Sequence, residues 1–161
     1  MNTSKITLLP LIAAATVAAT VTLPATAHAS NAFQFQSPSG NIGCEMWEED
    51  GKFSAVCQLH DHTWAAPAAS GDCQSGGYDL KLLRDGMPCA GVWPGGQIWL
   101  QQQSNALPTL AYGQTHTVGT ITCASGPSGV TCTDSSTGHF FQVSREAYTL
   151  GDTPSARHSG Y

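Results

Sequence analysis

Charge is scarce in this chain. Only 11% of its 161 residues are Asp, Glu, Lys or Arg, and six basic residues stand against eleven acidic ones. The net charge is −5, or −6 without Lys5, and no basic cluster is present. That balance excludes nucleic acid and anionic membrane as expected partners. It also leaves few residues to solvate long exposed helices. Catalytic signatures are missing too. There is no P-loop and no H-E-x-x-H, and Gly126-Pro127-Ser128-Gly129 has the wrong spacing for a G-x-S-x-G elbow. The acidic run Glu48-Glu49-Asp50 lacks the alternating oxygen ligands of a calcium loop and reads as a solvated turn. Among six cysteines no C-x-x-C occurs, the closest two being nine residues apart. This argues against a thioredoxin-like redox motif and against structural zinc. No cofactor is expected.

At the start, one Lys (Lys5) leads into the apolar, Ala-rich run 6–23, and Ala27-His28-Ala29 supplies a small-x-small cleavage site. Residues 1–29 are therefore expected to be a signal peptide, with Ser30 the first mature residue. Pro10 and Pro24 interrupt the run and no charged stop-transfer segment follows, so no membrane insertion is expected after cleavage. The predicted localisation is secreted or extracytoplasmic. Residues 30–150 then form one domain, and 151–161, without an apolar pattern, read as a disordered tail.

Export gives the cysteines their meaning. All six (Cys44, Cys57, Cys73, Cys89, Cys123, Cys132) follow the leader, and an even count in an oxidising compartment reads as three disulfides. Six cysteines allow 15 connectivities. Sequential pairing is the simplest expectation, and it has a geometric basis in the first pair. Asp50-Gly51 is a favoured two-residue type I′ loop. Counting outward from it, Glu49 faces Lys52, Met46 faces Ala55, and Cys44 faces Cys57 on a non-hydrogen-bonded rung, where Cα atoms lie about 4.5 Å apart. Ile42, Cys44 and Met46 then share one face with Phe53, Ala55, Cys57 and Leu59, leaving Glu45, Trp47, Glu49, Lys52 and Ser54 on the other. Cys123 and Cys132 flank a similar turn. Pro127 there cannot take positive φ, so a type I turn with Gly129 left-handed, a bulge and a shifted register is expected.

Short strands are expected over 78–83, 97–102, 115–123, 130–133 and 139–143. A single helical turn, N-capped by Ser144, is expected over 144–147. Close spacing and Gly/Pro turns point to an all-β fold, a small antiparallel sandwich or partly open barrel with cystine-linked hairpins.

Several runs together resemble a family of small secreted, cystine-containing bacterial proteins of unknown function. They are Phe35-Gln36-Ser37-Pro38-Ser39-Gly40-Asn41-Ile42-Gly43-Cys44, Trp64 with Pro67, Leu110-Ala111-Tyr112-Gly113, Gly129-Val130-Thr131-Cys132, and the segment from Gly138-His139-Phe140-Phe141 to Tyr148. The resemblance spans most of residues 33–150 and implies an exported cystine-bearing domain with no catalytic residues to carry over. It is weak over 74–106, which leaves the partnership of Cys73 and Cys89 open.

Two constellations are candidates for function. His60 and His62, two apart at a strand end, can present both imidazoles to one metal, with His116 or His139 as a third ligand. The plainer reading is two solvated histidines. His139 beside Ser144 or Ser136 is a weaker general-base candidate, because alternation groups it with Phe141 and Val143. Trp47, on the polar face of the first hairpin, and Trp93, in a Gly/Pro-rich loop, are candidate anchors for a protein or glycan ligand. Their plainer reading is packing under a loop. The expected function is that of a non-catalytic binding or interaction module of the cell envelope or medium. The alternative is a metal-dependent enzyme or metal-binding protein using His60 and His62.

Overall fold

A computed structural model describes residues 32–69, 73–98 and 107–152. The expected leader (1–29), Trp99 and most of the expected tail lie outside them. Ten strands form two antiparallel five-stranded sheets, each a plain meander. The first holds β1 (Phe33–Gln36), β2 (Ile42–Glu49), β3 (Lys52–Leu59), β4 (Asp79–Leu83) and β5 (Cys89–Gly91). The second holds β6 (Thr115–Val118), β7 (Ile121–Gly126), β8 (Gly129–Asp134), β9 (His139–Val143) and β10 (Tyr148–Asp152). The sheets stack with β4 over β9, β3 over β7 and β2 over β6, and do not close into a barrel. No helix among the described residues is long and apolar enough to cross a membrane.

The first hairpin has the register expected of it. Asp50 and Gly51 take φ of 53° and 73°, and Cys44 pairs with Cys57 at a Cα separation of 4.1 Å. The other disulfides are Cys73–Cys89 and Cys123–Cys132. At the Cys123–Cys132 hairpin the expected register shift does not occur: Gly126 faces Gly129, and the pairing runs without a bulge to Ile121 and Asp134. Gly129 alone takes a positive φ, 112°, so one flexible residue absorbs the mismatch and no inserted residue is needed. A side chain at Gly129 would also collide with the Val143 carbonyl.

Both cross-strand disulfides sit on inner faces and meet in the middle of the sandwich, with the Sγ atoms of Cys57 and Cys132 4.0 Å apart. Around them Phe35, Met46, Leu80, Ile121, Val130, Phe141 and Val143 form the main core, all essentially without solvent exposure. The sulfurs thus fill core volume as well as linking strands.

Outer faces differ. β7 and β8 alternate strictly between buried and half-buried residues, whereas β3, β4 and β5 are buried on both faces. A second cluster of Val56, Ile98 and Leu107, flanked by Trp47, Leu83 and Trp93, covers the outside of the first sheet. Polar groups beneath this cover are satisfied by the chain above them. Gln58 accepts from the Ile98 N–H (2.7 Å) and donates to the Gly96 carbonyl (3.1 Å). The Asp79 carboxylate accepts from the Trp93 N–H (2.6 Å), and Lys81 donates to the Val92 carbonyl (2.8 Å). Burial raises the Asp79 pKa and lowers that of Lys81.

Three local expectations change. Residues 115–123 are two strands, because the chain reverses at Gly119 (φ 57°) and Thr120. Residues 144–147 close the β9–β10 hairpin and form no helical turn. The Ser144 hydroxyl still accepts from the N–H groups of Glu146 and Ala147, as a helix cap would, but the Ser144 N–H donates to the Ala147 carbonyl. β10 reaches Asp152, two residues into the expected tail. Of the strand expected over 97–102 only Gln97 and Ile98 are described, and neither lies in a strand.

Candidate functional site

At one end of the sandwich, turns from both sheets surround an open cleft of about 500 Å³. Its first wall is the Ser37-Pro38-Ser39-Gly40 turn between β1 and β2. The Gly40 N–H donates to the Ser37 carbonyl (2.9 Å) with Gly40 at φ 71°, and the Ser37 hydroxyl accepts from the Ile42 N–H (3.2 Å). Asn41 next clamps the end of β3. Its side chain donates to the Asp61 carbonyl (3.0 Å) and accepts from the Asp61 N–H (2.8 Å), while its own carbonyl accepts from the His60 N–H (2.9 Å). His60 and Asp61 are thereby fixed on the cleft lining.

The opposite wall belongs to the second sheet. Gly126 and Gly129 of the β7–β8 turn and Ser144, Arg145 and Glu146 of the β9–β10 turn line it. Two bonds from the segment that follows β3 hold that second turn in place. The Thr63 N–H donates to the Arg145 carbonyl (2.9 Å), and the Trp64 indole donates to the Ser144 carbonyl (3.1 Å). Tyr112 stands at the rim with 51% of its surface exposed, at the apex of a turn closed by the Gln114 N–H on the Ala111 carbonyl (3.0 Å). Gly113, at φ 84°, permits that turn.

Electrostatically the cleft is unfinished. Of the described cations, Lys52 pairs with Asp85, Arg84 with Glu49, and Lys81 is buried on a carbonyl. Among the described residues, the Arg145 guanidinium has neither ion-pair nor hydrogen-bond partner, and the carboxylates of Asp61 and Glu146 have none either.

The histidines do not share surroundings. His60 lines the cleft; His62 stacks on Tyr78 (centroids 3.9 Å, planes 20°) and places Nδ1 3.2 Å from the Trp64 carbonyl oxygen. His116 stacks on Phe33 at 3.4 Å. His139 has Nδ1 2.9 Å from the Gly86 carbonyl oxygen and Nε2 3.2 Å from Asp152. Among the described residues no three His, Cys, Asp or Glu side chains are grouped to hold a metal. Trp47 and Trp93 lie against each other (5.2 Å), half-buried on the second cluster and outside the cleft lining. Reading the sequence missed Tyr112, Arg145 and Glu146. Their local signals are ordinary turn residues, and only the stacking of two sheets brings them to His60 and Asp61.

Fold and site together define a small β-sandwich, braced by three disulfides, with a preformed polar cleft at one end. The chain belongs to a family of unknown function, DUF6636, which matches residues 15–150. No curated protein and no solved structure is significantly similar to it. The cleft draws on Ser37 to Ile42, Tyr112, Gly129 and Ser144 to Glu146, all within the runs that carry the family resemblance.

Proposed function

We propose that this protein is an exported, non-catalytic domain that binds a ligand of the cell envelope or medium through the end cleft. Three disulfides and no free cysteine among the described residues fit an oxidising compartment. The apolar leader and its Ala-x-Ala site supply the route, and the family match begins within that leader. The observation that carries the binding role is the set of charged side chains without a partner among the described residues, Asp61, Arg145 and Glu146, held on a concave surface by a cross-braced backbone. Rigid placement of a few polar groups around a concavity is how ligand sites are built, because little ordering entropy remains to be lost on binding.

The test has two arms. Protein produced with its leader is expected in the medium or outside the cytoplasmic membrane, beginning at Ser30 and carrying no free thiol. Purified protein is expected to co-sediment with isolated cell envelopes, and Arg145→Ala to abolish this without altering the far-ultraviolet spectrum. Cytoplasmic retention with reduced cysteines contradicts export; equal sedimentation of wild type and variant contradicts the cleft.

A further inference from the structure

We infer that the ligand of the end cleft is a glycan, a polyhydroxylated chain of little net charge, gripped by Asp61, Arg145 and Glu146 and stacked on Tyr112. The inference rests on the reading of the cleft as a binding site and adds the chemistry of its occupant.

A sugar hydroxyl both donates and accepts. A surface that recognises several of them therefore needs donors and acceptors interleaved at close range. The cleft has this character: residues with acceptor carboxylates (Asp61, Glu146) and one with a donor-only guanidinium (Arg145) share one lining, beside a Ser37–Ser39 hydroxyl pair bonded to each other at 3.0 Å. Carboxylate and guanidinium are planar groups with two parallel bonding positions, suited to a pair of neighbouring hydroxyls. Among the described residues these three side chains have no partner, and unlike the equally unpaired Glu48 and Asp50 of the β2–β3 hairpin they share a concave surface. Tyr112 supplies the complementary part. Its exposed ring at the rim offers a flat apolar face for the C–H surface of a pyranose and a hydroxyl at its edge.

Other occupants fit less well. Two carboxylates against one guanidinium give no positive field, so a polyanion is disfavoured. A peptide adding itself as a strand needs a free sheet edge. Beside the cleft β1 is already bonded to the following chain, through the Gln36 N–H to the Pro108 carbonyl (2.9 Å) and the Leu110 N–H to the Gln36 carbonyl (3.0 Å). A tight protein interface centres on deep aromatic or aliphatic pockets, whereas the apolar part of this lining is Ile42, already buried, with Pro127 and Tyr112.

Sedimentation with three probes tests the inference: intact envelopes, the same envelopes stripped of protein and lipid by protease and detergent, and oligosaccharides released from the stripped walls as soluble competitors. Wild type is expected to bind stripped walls as well as intact ones and to be displaced by the oligosaccharides. Tyr112→Ala and Arg145→Ala, both at exposed side chains, are each expected to bind at least tenfold more weakly, with unchanged melting temperature. Binding to intact envelopes that disappears after protease overturns the glycan and leaves the binding role, with a protein as partner. Binding to stripped walls unaffected by either variant overturns the assignment to this cleft. No binding to any probe overturns the binding role in the envelope as well.

Discussion

The two ends of this sandwich are built from similar turns and differ in how they treat charge. At the end away from the cleft, Arg84 meets Glu49, Lys52 meets Asp85, and His139 bridges the Gly86 carbonyl and Asp152. Both Lys/Arg–carboxylate ion pairs among the described residues lie there. At the cleft end the side chains of Asp61, Arg145 and Glu146 are left open, while the backbone beneath them is tied by Asn41, Thr63 and Trp64. Exposed ion pairs add little to stability, and Glu48 and Asp50 at that same end are exposed without one. The contrast therefore lies in where the unpaired charges sit, on an exposed hairpin tip at one end and around a cleft at the other. Leaving charges unpaired over a rigid backbone keeps the cleft end available.

Four perturbations break or sharpen that contrast. The largest acts on the frame that fixes both ends. Replacing all four core cysteines (Cys44, Cys57, Cys123, Cys132) by Ala removes two cross-links worth about 3 kcal/mol each in the chain-entropy model, from a total stability of about 5–15. Thermal unfolding should show loss of the cooperative transition at 37 °C, and envelope binding should go with it.

Next comes Gly129→Ala at the cleft end. It forces a side chain into φ 112° against the Val143 carbonyl, at a cost of about 1–3 kcal/mol. The melting temperature should fall by several degrees, whereas Gly126→Ala, with no such close contact, should be milder.

Third is Asp134, buried where β8 leaves the sandwich at the far end. Burial alone would raise its pKa, but hydrogen bonds from the Ser136 hydroxyl (2.7 Å) and N–H (2.9 Å), with the nearby His139, outweigh burial and lower it. A lowered carboxylate pKa contributes stability that is full above the unfolded value of about 4 and is lost as pH falls through the folded value. Asp134→Asn should cost about 1 kcal/mol at neutral pH and flatten the acid limb of the stability curve. Smallest of all, Arg84→Ala should leave both melting temperature and envelope binding unchanged, in contrast to Arg145→Ala, which spares the first and removes the second.

Legibility followed the range over which each signal acts. The Asp50-Gly51 loop and the cysteines at equal distance from it specify one register, so the first hairpin could be read rung by rung. β9 was legible for a similar reason, alternation over 139–143. The double burial of β3 and β4 was not. Val56 and Gln58 lie on a face that looks polar beside Trp47 and Lys52, and they are buried only because distant residues such as Ile98 and Leu107 fold back over it. Trp47 and Trp93, candidate anchors whose plainer reading was packing under a loop, lie half-buried against that same cluster. The cleft was the least legible part: His60 was noticed only as a metal ligand paired with His62, while Arg145 is 85 residues beyond His60 and joins it only through the stacking of two meanders.

A paired binding measurement on folded protein tests the role of the cleft most directly. Affinity for isolated envelopes is measured for the Tyr112→Ala/Arg145→Ala double variant and for Trp47→Ala, each below its own melting temperature. Loss of binding in the first with less than twofold change in the second is the predicted result. Full binding by the double variant, with loss in Trp47→Ala, would move the site to the tryptophan face and contradict the account.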